Sequence, residues 1–259
     1  MDTRPIGIFD SGLGGLTALG ALKELLPYEN FIYLGDTLRV PYGDKSESEL
    51  LKCASDDIRF LLNHDVKAIL IACGTVSSTL SPEHFSRIPV HTEGVVIPSV
   101  KKALDITNGK IGIIATAASI RAGVYRRMLL EKRPELEVYD VACPEFVPLV
   151  ESGKTLADDP EVIRAAEKYL LPLKEKGIDT LILGCTHYPL LKEAILKILP
   201  EVCLVDVGKC AAEEIYKSID KNENGGRCEF YVTKNAEGFK NNAQRFLGYK
   251  TENVKEVIL

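Results

Sequence analysis

Seven short apolar runs limit what this chain can fold into: PIGIFDSG, ENFIYLGDT, VKAILIACGT, NGKIGIIATA, LEVYDVAC, IDTLILGCT and EVCLVDVG. Each ends in small or polar residues and precedes an amphipathic stretch. Continuous runs such as Ala68 to Ala72 and Leu181 to Gly184 suit strands covered on both faces, the situation of a parallel sheet flanked by helices. The intervening stretches suit helices. Ser46 to Leu62 carries Leu50, Leu51, Ala54, Ile58, Leu61 and Leu62 near helical spacing, and Asp158 to Lys176 behaves alike. The expected fold class is therefore α/β.

The chain also repeats itself. Ile6-Gly7-Ile8-Phe9 matches Ile111-Gly112-Ile113-Ile114, and Ala68-Ile69-Leu70-Ile71-Ala72-Cys73 matches Thr180-Leu181-Ile182-Leu183-Gly184-Cys185 at a similar offset. Two pseudo-symmetric domains follow, each a mainly parallel sheet flanked by helices. The first is expected to comprise residues 1–96 with a returning segment 208–259, and the second residues 97–207. Packed about a pseudo-twofold axis, the halves would bring Cys73 and Cys185 to equivalent strand ends facing one interdomain cleft.

With 259 residues, 46% of them hydrophobic, the chain can bury substantial cores. A net charge of -5 argues against a nucleic-acid partner, which would call for a basic face. No apolar run reaches the ~20 residues that span a bilayer, and MDTRPIGIFDSG does not read as a signal peptide, so a cytoplasmic protein without a membrane partner is expected. Its seven cysteines then read as thiols. None forms a C-x-x-C pair, so no metal site is expected.

Cys73 and Cys185 each close a hydrophobic strand and precede residues suited to a turn and helix start, Gly74-Thr75 and Thr186-His187-Tyr188-Pro189. Free cysteines are often just buried apolar groups. A helix start, however, favours a thiolate and should ease ionisation below the usual pKa of about 8.5. Two equivalent thiols also suit inversion at a carbon: one face loses a proton while the other receives one, which a single base cannot accomplish without moving or exchanging that proton. Asp10 is a candidate partner for Cys73 and His187 for Cys185, against the plainer readings of a helix cap and a hydrogen-bonding turn histidine. Asp10-Ser11-Gly12-Leu13-Gly14-Gly15-Leu16-Thr17, with Asp36 further on, departs from a dinucleotide fingerprint because Thr17 takes the third glycine position. A turn whose N–H groups receive a small carboxylate suits it better. Pro41-Tyr42-Gly43 reads as turn chemistry that could also meet a carboxylate.

Together FDSGLGGLT, GDTLRVPYGDKS, ACGTVSS, ACPEFVPLVESG and GCTHYPLL resemble, in order and spacing, the glutamate racemase family of the aspartate/glutamate racemase superfamily, over nearly the whole chain. The resemblance implies a glutamate site between two α/β domains and catalysis by two cysteines without pyridoxal phosphate, metal or other cofactor. It also implies supply of D-glutamate for peptidoglycan, and a homodimer is common in the family. Carried over, Cys73 and Cys185 are the opposed bases and Asp10, Glu151 and His187 the assisting groups. Ser11, Pro41, Tyr42, Gly43, Thr75 and Thr186 are the substrate contacts, with Gly74, Thr116 and Ser119 in the same binding segments. Gly74 stands where the family usually has Asn, Ser99 where it has Gly, Ser119 and Ala122 where Thr and Ser are common, and Val207 where Ser is usual. These departures bear on substrate specificity. The competing expectations are a superfamily isomerase or decarboxylase acting on another small carboxylate, a weakened binding protein, and a cysteine hydrolase built on Cys185 and His187.

Overall fold

In the computed structural model, which describes residues 2–259, all seven apolar runs form strands. In chain order the strands are β1 (Ile6–Asp10), β2 (Phe31–Gly35), β3 (Ala68–Ile71), β4 (His91–Gly94), β5 (Lys110–Ala115), β6 (Glu137–Ala142), β7 (Thr180–Leu183), β8 (Cys203–Asp206), β9 (Cys228–Val232) and β10 (Val254–Glu256). The helices are α1 (Leu16–Leu25), α2 (Glu47–Leu62), α3 (Gly74–Thr79), α4 (Val96–Ile106), α5 (Ala117–Ala122), α6 (Val124–Lys132), α7 (Phe146–Glu151), α8 (Pro160–Glu175), α9 (Lys192–Ile198), α10 (Val207–Ser218) and α11 (Ala236–Leu247). The two long helices begin where side chains cap them. Ser46 and Glu49 form a reciprocal capping box on α2, and Asp159 accepts the Glu161 and Val162 N–H groups ahead of Pro160 on α8.

Two parallel sheets result, ordered β10-β9-β2-β1-β3-β4 and β6-β5-β7-β8. The internal repeat is visible in them: β2-β1-β3-β4 and β6-β5-β7-β8 have the same order, and the match continues in single bonds. The Ala72 N–H reaches the Phe9 carbonyl at 3.0 Å, and the Gly184 N–H reaches the Ile114 carbonyl at 2.7 Å. The shared Ile-Gly-Ile pattern is a packing repeat. A Cβ on Gly7 would stand 3.0 Å from Leu61, and one on Gly112 would stand 2.7 Å from Ile178, so each glycine lets a helix-side aliphatic group press onto the central strand.

Alternating strand residues divide the interior. Phe9, Ile69 and Ile71 join α2 on the outer side of the first sheet, while Ile114, Leu181 and Leu183 join α8 and α9 on the outer side of the second. The inner faces, through Ile6, Ile8, Ile111 and Ile113, share one apolar cluster with α1, α4 and α10 between them. We retain as a proposal the division into residues 1–96 with 208–259 and residues 97–207. The strands of the six-stranded sheet come from the first set and those of the four-stranded sheet from the second.

The returning C-terminal segment is fastened by a buried cation. Lys67, just before β3, donates to Glu29 Oε2 at 2.9 Å, to the Asp2 carbonyl at 2.7 Å and to the Asp220 carbonyl at 2.8 Å. The Asn222 N–H reaches the same Glu29 oxygen at 3.1 Å. Lys67→Met strands a buried carboxylate and is expected to cost about 3–5 kcal/mol in denaturant unfolding, part of it regained by adding Glu29→Gln. A loss within about 1 kcal/mol, the range of exposed pairs, would contradict this anchoring.

Candidate active site

Parallel strands deliver their C-terminal ends to one edge, and the loops there form the crevice in which open α/β sheets take ligands. Both sheets turn that edge toward a single cavity of about 470 Å³. Cys73 follows the last ladder bond of β3 and precedes α3, while Cys185 holds the equivalent place after β7. Both thiols line the cavity, and both are buried.

Their neighbours differ. Cys73 Sγ lies 3.8 Å from the Ser11 hydroxyl. Burial, with the Asp10 charge adding to it, pushes the Cys73 thiol up to about 12 against the easing effect of the Val76 N–H and Ser11. The expected lowering at the helix start is therefore outweighed by desolvation. Asp10 is itself buried, accepts the Gly12 N–H at 2.9 Å, and is raised by burial despite the opposing charge of His187. On the other side Cys185 Sγ stands 3.7 Å from His187 Nδ1, and His187 Nε2 stands 3.2 Å from Glu151 Oε1. Burial works against a charge on His187, yet the bonds to Cys185 and Glu151 outweigh it and raise the imidazole to about 10.

The glycine-rich turn after β1 carries a role that composition did not disclose. A Cβ on Gly14 would fall 2.4 Å from both His187 Nδ1 and Thr186 Oγ1, so the bare backbone at Gly14 makes room for the histidine of the other half. Thr17 Oγ1 stands 2.9 Å from the Thr186 carbonyl and ties the same turn to it. Asp36 is committed elsewhere. It is buried, pairs with Arg39, accepts from Tyr42 and takes the Thr233 hydroxyl at 2.9 Å. Arg39 also holds Asp56 at 2.9 Å and Asp57 at 3.0 Å, and burial beside Asp36 pushes Asp57 well above the usual carboxylate range. Asp36, the acid that a dinucleotide fingerprint would turn to a ribose, is therefore not free to meet one.

The expected residues Ser11, Pro41, Tyr42, Gly43, Gly74, Thr75, Thr116, Glu151 and Thr186 line the cavity with Asp10, His187 and the two thiols. The Tyr42 hydroxyl, however, points into the Asp36–Asp57 cluster, so only the rest of this residue faces inward. Ser119 is corrected: it is buried one layer back, bonded to Ser78 Oγ at 2.9 Å and Thr116 Oγ1 at 3.0 Å, and it does not line the cavity. Nor do Ser99, Ala122 and Val207. Ser99 donates to the Val95 carbonyl at the start of α4, and Val207 belongs to the inner core, so these two departures are packing changes. Gly74 alone among them reaches the cavity. A Cβ there would lie 2.6 Å from the Gly184 carbonyl oxygen, which marks how closely the two cysteine-bearing turns approach. Cys143 and Pro144, at the end of β6, complete the wall. Both lie in the segment ACPEFVPLVESG, from which only Glu151 was expected at the site. Among the described residues no group of three or more His, Cys, Asp or Glu is arranged to hold a metal ion, and no helix is long and apolar enough to cross a membrane.

Two half-equivalent α/β units that each bring a cysteine to one cavity define a class, and comparison with known proteins agrees with it. Residues 40–215 match the family described as Asp/Glu/hydantoin racemase. The chain is 42% identical to the glutamate racemase of Carboxydothermus hydrogenoformans, covering 98% of this chain and 96% of that one, and 42% identical to the Thermus thermophilus enzyme with the same coverage. It superposes on the Francisella tularensis glutamate racemase in complex with D-glutamate with a TM-score of 0.89 at 36% identity, over 100% of this chain and 98% of that one. A Bacillus anthracis glutamate racemase isoform gives a TM-score of 0.92 at 34% identity, over 100% and 99%. The chain belongs to the Asp/Glu/hydantoin racemase family and is an amino-acid racemase.

Two outcomes follow from the geometry. Gly74→Asn, which returns the amide usual in the family, is expected to lower kcat/KM by about tenfold to a hundredfold, because its Cβ must push the Gly184 carbonyl away; a gain in turnover would contradict this. His187 holds its proton to about pH 10 when folded, against 6.5 for the ordinary imidazole. Its charge therefore stabilises the fold fully below pH 6.5, and that contribution is lost as pH climbs toward 10. Denaturant titrations across this window should give a flatter curve for His187→Asn than for wild type.

Proposed function

We propose that this chain is a cofactor-independent glutamate racemase, working in the cytoplasm on free glutamate by a two-thiol mechanism and supplying D-glutamate for peptidoglycan. The observation that carries this reading is the presence of Cys73 and Cys185 at equivalent strand ends on one cavity. Glutamate itself comes from the relatives, which are named for it over essentially their full length.

In this reading a thiolate on one face removes the α-proton and the thiol on the other face returns one, the roles exchanging with direction. Burial and the Asp10 charge keep Cys73 protonated at rest. Cys185 has the His187 imidazolium at hand, whose positive charge attracts a thiolate and can stabilise it through Nδ1. Glu151 orients that imidazole from its far nitrogen. The thiols must also act in a small, dry space, where each charge is felt strongly. Ser11, Thr75, Thr116, Thr186 and the turn at Pro41 to Gly43 offer hydroxyl and backbone donors for the substrate carboxylates.

The Cys185–His187–Glu151 line would equally suit a cysteine hydrolase, but such an enzyme leaves Cys73 without work. Each glutamate enantiomer, supplied separately in heavy water, should racemise and take up α-deuterium with wild type. Cys73→Ser and Cys185→Ser should each lose racemisation by about a hundredfold to ten-thousandfold. Full turnover in either variant would remove that thiol from the mechanism, and tight binding of glutamate with no exchange in wild type would make the protein a binder.

A further inference from the structure

The last turn of α11 reaches the catalytic histidine from the opposite sheet's side. This helix is built from the returning segment and packs on α1, β9 and β10. Near its end the Phe246 ring stands perpendicular to the His187 ring, with centroids 5.6 Å apart and planes at 88°. Phe246 also packs against both the shared inner cluster and the outer core of the second sheet. Beside it Arg245 Nη1 donates to the Glu151 carbonyl at 3.4 Å. Its guanidinium fills the place of a side chain at Gly153, whose φ is +88°. Glu151 ends α7, where unpaired carbonyls attract a cation. Both members of the His187–Glu151 pair are thus held by consecutive residues of one helix.

We infer that Phe246 and Arg245 are positioning residues for the acid/base group at Cys185, and that α11 is the latch linking the first sheet's packing to that group. This inference rests on the proposed racemase reading. Phe246 closes one side of the imidazole that Gly14 backs on another, leaving little freedom for the ring to turn away from the Cys185 sulfur. Arg245 fixes the helix end from which Glu151 reaches His187. The charged and titratable groups facing the imidazole are Cys185 on its own turn, Glu151 on α7 and Asp10 on β1, with Arg245 behind Glu151.

A residue that serves only one thiol leaves a kinetic mark. Mirror-image substrates have an equilibrium constant of one, so kcat/KM stays equal in the two directions whatever the mutation. The identity of the slow step need not stay the same. Phe246→Ala and Arg245→Ala should lower kcat about tenfold with KM within twofold. The primary isotope effect with α-deuterated substrate should rise for the enantiomer whose α-hydrogen faces Cys185 and fall for the other. Phe246→Tyr and Arg245→Lys should recover most of the rate.

A second readout does not depend on turnover. The His187 ring resonance, assigned by its loss in His187→Asn, should titrate closer to the ordinary imidazole range in Phe246→Ala, since water entering beside the ring weakens its partners' hold. Arg245 is exposed, so its variants keep the test alive if Phe246→Ala fails to fold. Isotope effects unchanged or altered equally in both directions, with an unmoved His187 titration, would overturn the latch. Absence of racemisation in wild type would sink the proposed function instead, and the titration alone would then decide the latch.

Discussion

The constraint on which this site depends is the distance between two stretches of main chain. Gly74 faces the Gly184 carbonyl with no room for a side chain between them, and Gly14 gives its space to His187 and Thr186. These approaches are short because both strand ends, β3 and β7, run toward one edge and each turns sharply into a following helix or 3₁₀ turn. The sheets' ladders fix where the turns begin, and the absent Cβ atoms fix how near they come. A cavity formed this way holds the buried thiols close to its wall, where neighbouring charges are screened less than in open water.

Within that near-symmetric frame the chemistry is lopsided. Equivalent thiols have unlike company: a buried carboxyl and a hydroxyl beside Cys73, an imidazole backed by a carboxylate beside Cys185. The duplicated framework supplies position, and the unduplicated turns supply electrostatics. Two identical environments would leave both sulfurs in the same protonation state, whereas proton traffic across a carbon calls for opposite ones.

What could be read from the residues followed from how each element meets solvent. Strands covered on both faces announced themselves as unbroken apolar runs. β4 (HTEG), β9 (CEFYV) and the three-residue β10 did not, because β4 and β10 are edge strands of mixed polarity and the apolar run of β9 is cut short by Glu229. The helix α11 escaped for a related reason: its apolar positions are few, and Phe246 and Arg245 acquire meaning only through His187 and Glu151, which are far away in the chain. Motif residues pointed to segments that meet at one cavity, but a motif does not say which of its side chains faces inward. Ser119 turns to Ser78, and the Tyr42 hydroxyl turns to Asp36. Gly74 looked like a lost amide; the packing around it makes it a place where one cannot be added without moving the backbone.

The inner apolar cluster, common to both sheets through α1, α4 and α10, carries a consequence for how this molecule comes apart. Although the chain repeats a motif, neither copy owns the interior between them. Removing one sheet would lay bare Ile111 and Ile113, or Ile6 and Ile8, together with the helices that cover them. The repeats are therefore partners in a single cooperative melting event, and a fragment carrying one of them would expose a greasy face with nothing to shield it.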